Sequence, residues 1–274
     1  MRSIKKQLGM SLVELIIAGA LGVGLTTAII NIVVVSNRTS SQSDGISQAQ
    51  ETGRFVASFL GDALASAGYS GDSANTFIDP HADLCANPAQ GSCTIDTQNG
   101  TGDRITVRRL ITEEDDRDCT GSSLNIAAGV EDQVIDAFWV EVNDDGDSEL
   151  RCLTYRARDN WTYDRAAQPI ATGVAAIHAL YGHSSARVPN GNRNVTRYLA
   201  PADIPLDPDT GDREWQFVFS VKIAILVQSF DESSIQDKER AYILLDADPY
   251  RMTDRFSREV FTTTVTRANF NNLP

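Results

Sequence analysis

Lys5-Lys6-Gln7-Leu8-Gly9-Met10-Ser11-Leu12-Val13-Glu14-Leu15 opens a segment that carries no charged side chain from Leu15 to Val35. The reading of that segment decides the fold. In a helix, rising 1.5 Å per residue, Leu15 to Val35 covers about 30 Å, the thickness of a bilayer's hydrocarbon core. Arg2, Lys5 and Lys6 precede the run, and basic flanks stay cytoplasmic, so a single-pass, N-in and C-out placement in the inner membrane is expected. Behind the run, Ile32-Val33-Val34-Val35 lead into Ser36-Asn37-Arg38 with no Ala-x-Ala pattern, so cleavage there is not expected. Glu14 stands out. A carboxylate within an apolar span costs about 2–3 kcal/mol at the bilayer centre and less near its edge, so Glu14 calls for a cationic partner.

Beyond Val35 the chain is long enough for one sizeable domain within its 274 residues. Its net charge is −13, which repels phosphate backbones, and no nucleic-acid partner is expected. Cys85, Cys93, Cys119 and Cys152 all follow the apolar run. In an oxidising compartment an even count argues for disulfides, and four cysteines admit three connectivities. The pairing expected is Cys85 with Cys93, closing a loop rich in Asn, Pro and Gly, and Cys119 with Cys152, tying a loop to a strand. The spacings do not form a zinc ribbon. Neither a metal nor another cofactor is expected.

Ile46, Ala49, Gly53, Val56, Leu60, Ala63 and Ala67 recur at steps of three and four, the period of one apolar helix face. A helix from Met10 to about Ala67 is therefore expected, as an assembly or membrane portion over 10–35 and an amphipathic continuation over 36–68. Gly68 is placed to end it, and Gly45 to loosen it. After Gly71 the pattern changes to alternation. Strands are expected over 104–110, 134–142, 150–157, 174–181, 215–227, 241–246 and 260–267. Trp215, Phe217, Phe219, Val221, Ile223, Ile225 and Val227 alternate along the clearest of them. One long helix followed by strands predicts an α+β fold, the helix packed on an antiparallel β-sheet domain over 69–274. Gly182 to Gly211, rich in Pro and Gly, reads as a long irregular insertion.

Two acidic stretches test for calcium. With Gly146 of Asn143-Asp144-Asp145-Gly146-Asp147 set at the sixth position of an EF-hand loop, the twelfth is Cys152, so the bidentate glutamate is missing. A hairpin turn is the preferred reading there, and likewise a turn at Asp207-Pro208-Asp209-Thr210-Gly211-Asp212. For catalysis only His81, His178 and His183 titrate near neutrality, with no nucleophile elbow and no His-Glu-x-x-His helix. His178, between Ile177 and Ala179, reads as a structural histidine. No catalytic residue is assigned.

The opening motif resembles the class III leader of type IV pilins and type II secretion pseudopilins. The resemblance implies that 1–9 is a leader cut by prepilin peptidase between Gly9 and Met10, that Met10 is N-methylated, and that Glu14 pairs with the N-terminal amine of a neighbouring subunit during assembly. Met10 stands where most members have Phe. Gln50-Glu51-Thr52-Gly53-Arg54-Phe55, Phe59-Leu60 and Ala67-Gly68-Tyr69-Ser70-Gly71 are similar to the PilW group of minor pilins, as are Gly173 to Gly182 and Arg258 to Val265. Asp72 replaces a cysteine common in that group, and Asn31 stands where major pilins often carry a proline. The resemblance implies a pilin fold, other pilin and minor pilin subunits as partners, waiting in the inner membrane and later a place in an extracellular fibre, in a priming or tip complex. A minor pseudopilin of type II secretion and a binding module using the 183–212 loop are the alternative expectations.

Overall fold

In the computed structural model, residues 11–68, 93–98, 100–157, 166–185, 194–209, 211–233, 237–267 and 269 are described. The first of these form α1, Leu12–Ala65, a single α-helix of 54 residues and about 80 Å. Ser11 starts it, its side chain accepting from the Val13 N–H at 3.3 Å. At the far end Ser66 N–H returns to Asp62 O, and Gly68 takes a positive φ of 73°, the left-handed exit expected of it.

Ten strands follow: β1 (Ile105–Ile111), β2 (Asp132–Val142), β3 (Ser148–Arg156), β4 (Gln168–Thr172), β5 (Val174–His183), β6 (Arg197–Leu199), β7 (Val218–Gln228), β8 (Lys238–Tyr242), β9 (Tyr250–Asp254) and β10 (Arg258–Thr266). They form antiparallel sheets ordered β1-β2-β3-β4 and β10-β7-β5-β6, with β8-β9 a separate hairpin. The expected fold class, a long helix packed on antiparallel sheets, is the observed one. Ala49, Val56, Leu60 and Leu64 of the helix, with Ala67 just past its end, share one core with Val107, Phe138 and Leu150 of the first sheet and Ile177, Ile223 and Ile225 of the second.

The helix face that enters this core is offset from the one expected. Gly45 and Leu64 are buried, while Ile46 and Ala63 lie at its margin. Gly45 does not loosen α1: a Cβ there would meet Ser233 Cβ at 2.8 Å, so the missing side chain lets helix and domain touch. Gly53 does the same against the Phe261 ring, 2.2 Å from where its Cβ would stand.

The strand expected from Trp215 begins at Val218, because Trp215–Phe217 forms one 3-10 turn that seats the Trp215 ring against Tyr181. Along β7, Val221, Ile223, Ile225 and Val227 face the helix, while Ala224 and Leu226 pack under Leu244, Ala247 and Tyr250. Burial on both faces explains the nearly unbroken apolar run. The strand expected over 241–246 lies earlier, as β8, because a turn follows: Ala247 N–H bonds to Leu244 O. Strands β4, β6 and β9 were not anticipated. Of the 182–211 stretch, residues 186–193 and 210 lie outside the described residues; in the rest β6 pairs with the end of β5 and Pro201–Asp203 forms a 3-10 turn.

Candidate functional site

Sequence and structure converge on the first half of α1. Ser11 and Glu14 have the spacing of a capping box, a signal that the apolar pattern alone does not bring out, and Glu14 sits in the first turn, where the helix dipole favours a negative charge. Residues 11–44 are all exposed, Leu12 by 76% and Leu21 by 70%. The hydroxyls of Thr26 and Thr27 bond back to Gly22 O and Val23 O at 2.8 and 2.9 Å, so the helix absorbs its own threonine donors. The segment is long and apolar enough to cross a membrane. Among the described residues no cation pairs with Glu14. A row of uncovered Leu, Ile and Val of this length needs lipid or other apolar helices around it. Gly9 and Met10 lie outside the described residues.

The cysteines lie elsewhere. Cys119 and Cys152 are bonded to each other, fastening the 116–124 loop to β3. That loop is already self-ordered: Asp118 Oδ1 accepts from the N–H groups of Thr120 and Ser122 at 2.8 and 2.9 Å. Cys119 N–H donates to Thr154 Oγ1, which donates to the buried Asp136, itself paired with Arg109 at 2.7 Å. The loop forms one wall of an open cleft of about 500 Å³ whose other walls are Phe55 and Phe59 of α1 and Gln168–Ile170 of β4. Cys93 is disulfide-bonded too, while Cys85, its expected partner, lies outside the described residues, as does His81.

His178 is fully buried. Its Nε2 meets the Tyr250 hydroxyl at 2.7 Å, and its Nδ1 lies 3.2 Å from Asp103 Oδ1, off the line of a hydrogen bond. Asp103 also accepts from Thr97 N–H and Ala179 N–H. Gly102, at φ 85°, lets this loop approach so closely that a Cβ would stand 2.0 Å from Ile177 O. Burial, with the Asp103 carboxylate nearby, pushes the Tyr250 phenol up to about 12, and burial pushes Tyr181 up as well. Asp96 is likewise raised, by burial and by the Asp103 and Asp246 carboxylates. The arrangement joins Thr97 and Asp103 to β5 and β9 inside the protein. His183 is buried against Glu214 at 3.2 Å.

The acidic turns are turns. Asn143 Oδ1 accepts from Asp145 N–H and Asp147 N–H, with Gly146 at φ 89°, and Asp207 O accepts from Gly211 N–H. Among the described residues no three His, Cys, Asp or Glu side chains are grouped to hold a metal.

Residues 137–269 match the family model described as type IV pilus-assembly protein W. No curated protein matches the chain. Among solved structures, a type IV-like pilin from Thermus thermophilus is similar at 12% identity and a TM-score of 0.42, over 81% of this chain and 96% of that one. The family match reaches from β2 past the end of β10, far from the N-terminal motif. Over residues 137–269 the chain is thus similar to the type IV pilus-assembly protein W family, and the Gln50–Phe55 and Ala67–Gly71 stretches lie outside that match.

Proposed function

We propose that the protein is a minor pilin of a type IV pilus, acting in the complex that primes assembly or caps the fibre. In this reading prepilin peptidase removes residues 1–9 on the cytoplasmic side, Met10 becomes the methylated N-terminus, and 10–35 holds the subunit in the inner membrane with the 69–274 domain outside. On assembly the apolar surface from Leu15 to Val35 exchanges lipid for neighbouring pilin helices. Glu14 then gains the N-terminal amine of an adjacent subunit, which offsets the cost of an acid in an apolar surround. The observation that carries the reading is that the first half of an unbroken helix is left uncovered by the very domain that grips its second half.

Glu14→Ala should leave processing and membrane insertion intact and block assembly, because losing a first-turn acid costs α1 only about 0.3–1 kcal/mol while the charge that selects a neighbour is gone. Immunoblots of processed subunit, together with counts of surface pili, read both steps. Normal piliation with the variant would sink the role given to Glu14.

A further inference from the structure

Strand β10 ends the β10-β7-β5-β6 sheet, and among the described residues no strand pairs with it on the side away from β7. Which groups face that side follows from the register. Arg267 N–H bonds to Phe219 O, and Ser229 N–H to Ser257 O; with the antiparallel pairing of Arg258 to Gln228 and onward, the odd-numbered residues of β10 bond to β7. The N–H and C=O groups of Arg258, Val260, Thr262, Thr264 and Thr266 therefore point to the open edge. The side chains of Val260, Thr262, Thr264 and Thr266 are exposed as well, while Phe261 and Val265 face the helix.

The other strand edges are defended by the usual devices. β6 is three residues long, β4 contains Pro169, β1 carries Arg108 and Arg109, and the β8-β9 hairpin is studded with Glu239, Arg240, Arg251 and Asp254. β10 has none of these from Val260 to Thr266, in a chain whose net charge is −13. Among the described residues, Val260–Thr266 is an uncharged, largely β-branched edge left bare.

We propose that this edge is a strand-addition site, which takes an uncharged extended segment of a different polypeptide outside the membrane. Geometry argues against a second copy of this chain. Gly45 lies beside Ser233 and Ser229, the latter bonded to Ser257; Gly53 meets Phe261, Gly61 faces Val265, and Asn269 donates to Ala65 O and Ala67 O. β10 thus runs alongside α1 in the same direction. Antiparallel pairing of two copies through β10 would send their anchor helices to opposite ends. Parallel pairing about a two-fold along the strands would turn equivalent side chains to opposite faces and break the shared pleat. Excluding the second copy rests on the anchor reading of α1, whereas the open edge does not. Affinity comes from main-chain hydrogen bonds and selectivity from the Val260–Thr266 row, which favours Thr, Ser and Val opposite it and disfavours charge.

The probe is a blocked, fluorescent heptapeptide copying the uncharged Val260–Thr266 row, added to the full chain in detergent micelles. It should bind, and it should slow amide exchange at Val260, Thr262 and Thr264 at least tenfold. Thr262→Pro removes an edge donor but no bond to β7, since edge strands tolerate proline where the N–H faces out; Thr262→Lys adds a charge to the same edge. Both should weaken binding at least tenfold with unfolding temperature unchanged. Absence of binding at millimolar peptide, or binding that ignores both variants, would overturn the site. Disulfide-linked homodimers of a Thr264→Cys chain in membranes would overturn the occupant, and none of these results depends on pilus formation, which Glu14→Ala reads separately.

Discussion

Residues 12–44 and 45–65 lie on one unbroken helix, yet the first stretch is exposed throughout while the second buries a residue at every third or fourth position. The apolar stretch is the exposed one. Leu12 to Val35 holds the larger side chains and has no cover, whereas the gripped half meets its domain through Gly45, Ala49 and Gly53 as well as Val56, Leu60 and Leu64. Hydrophobicity by itself therefore does not mark the core of this molecule. Gly45 and Gly53 mark where the helix comes closest to its own domain, Val56, Leu60 and Leu64 fill the shared core, and the long uncharged run marks the part that the domain does not cover.

The largest effect on the gripped half should come from the disulfide. Replacing both Cys119 and Cys152 with Ala frees a loop of 33 residues' separation and should cost about 2–4 kcal/mol, measured as a lower unfolding midpoint of the detergent-solubilised chain, with the helicity of the 12–44 stretch retained. Next comes Gly53→Ala, which drives a methyl into the Phe261 ring and should cost about 1–3 kcal/mol by overpacking. Gly22→Ala on the exposed half, with nothing within 4 Å, should leave that midpoint unchanged. Equal responses at Gly53 and Gly22 would break the contrast between the two halves.

The smallest effect concerns pH. Tyr250 has its phenol raised from 10 to about 12, so folding favours the protonated form. The stability this contributes is fully present below pH 10 and is lost as pH rises from 10 through 12. Unfolding midpoints followed across that window should fall, and Tyr250→Phe should flatten part of the fall because Tyr181, also raised, remains. A decline just as steep in the variant would remove Tyr250 as a source.

The two halves of α1 were legible because each writes a strong pattern: an uncharged run long enough to span a bilayer, then steps of three and four. The sheet was less so. β4 contains Pro169, β6 has three residues, and β9 alternates Tyr250 with Arg251 and Thr253, patterns too short or too polar to announce strands before their neighbours are known. Trp215 and Phe217 continue the alternation of β7 in sequence but turn away from it in space, since the 3-10 turn seats Trp215 on Tyr181. His178 read as structural from its apolar neighbours, but Asp103 and Tyr250 come from segments 75 and 72 residues away, and nothing local names them. The bare edge of β10 is of the same kind: the exposed row is in the sequence, the missing neighbour only in the topology.

What the exposed half of α1 is for is tested most directly by mass spectrometry of the protein's N-terminus, purified from cells that make pili. A chain beginning at methylated Met10 is the predicted result, because an assembly helix must first be released from Arg2, Lys5 and Lys6. A chain retaining Met1 and residues 2–9 would make α1 a plain membrane anchor and contradict its role in assembly.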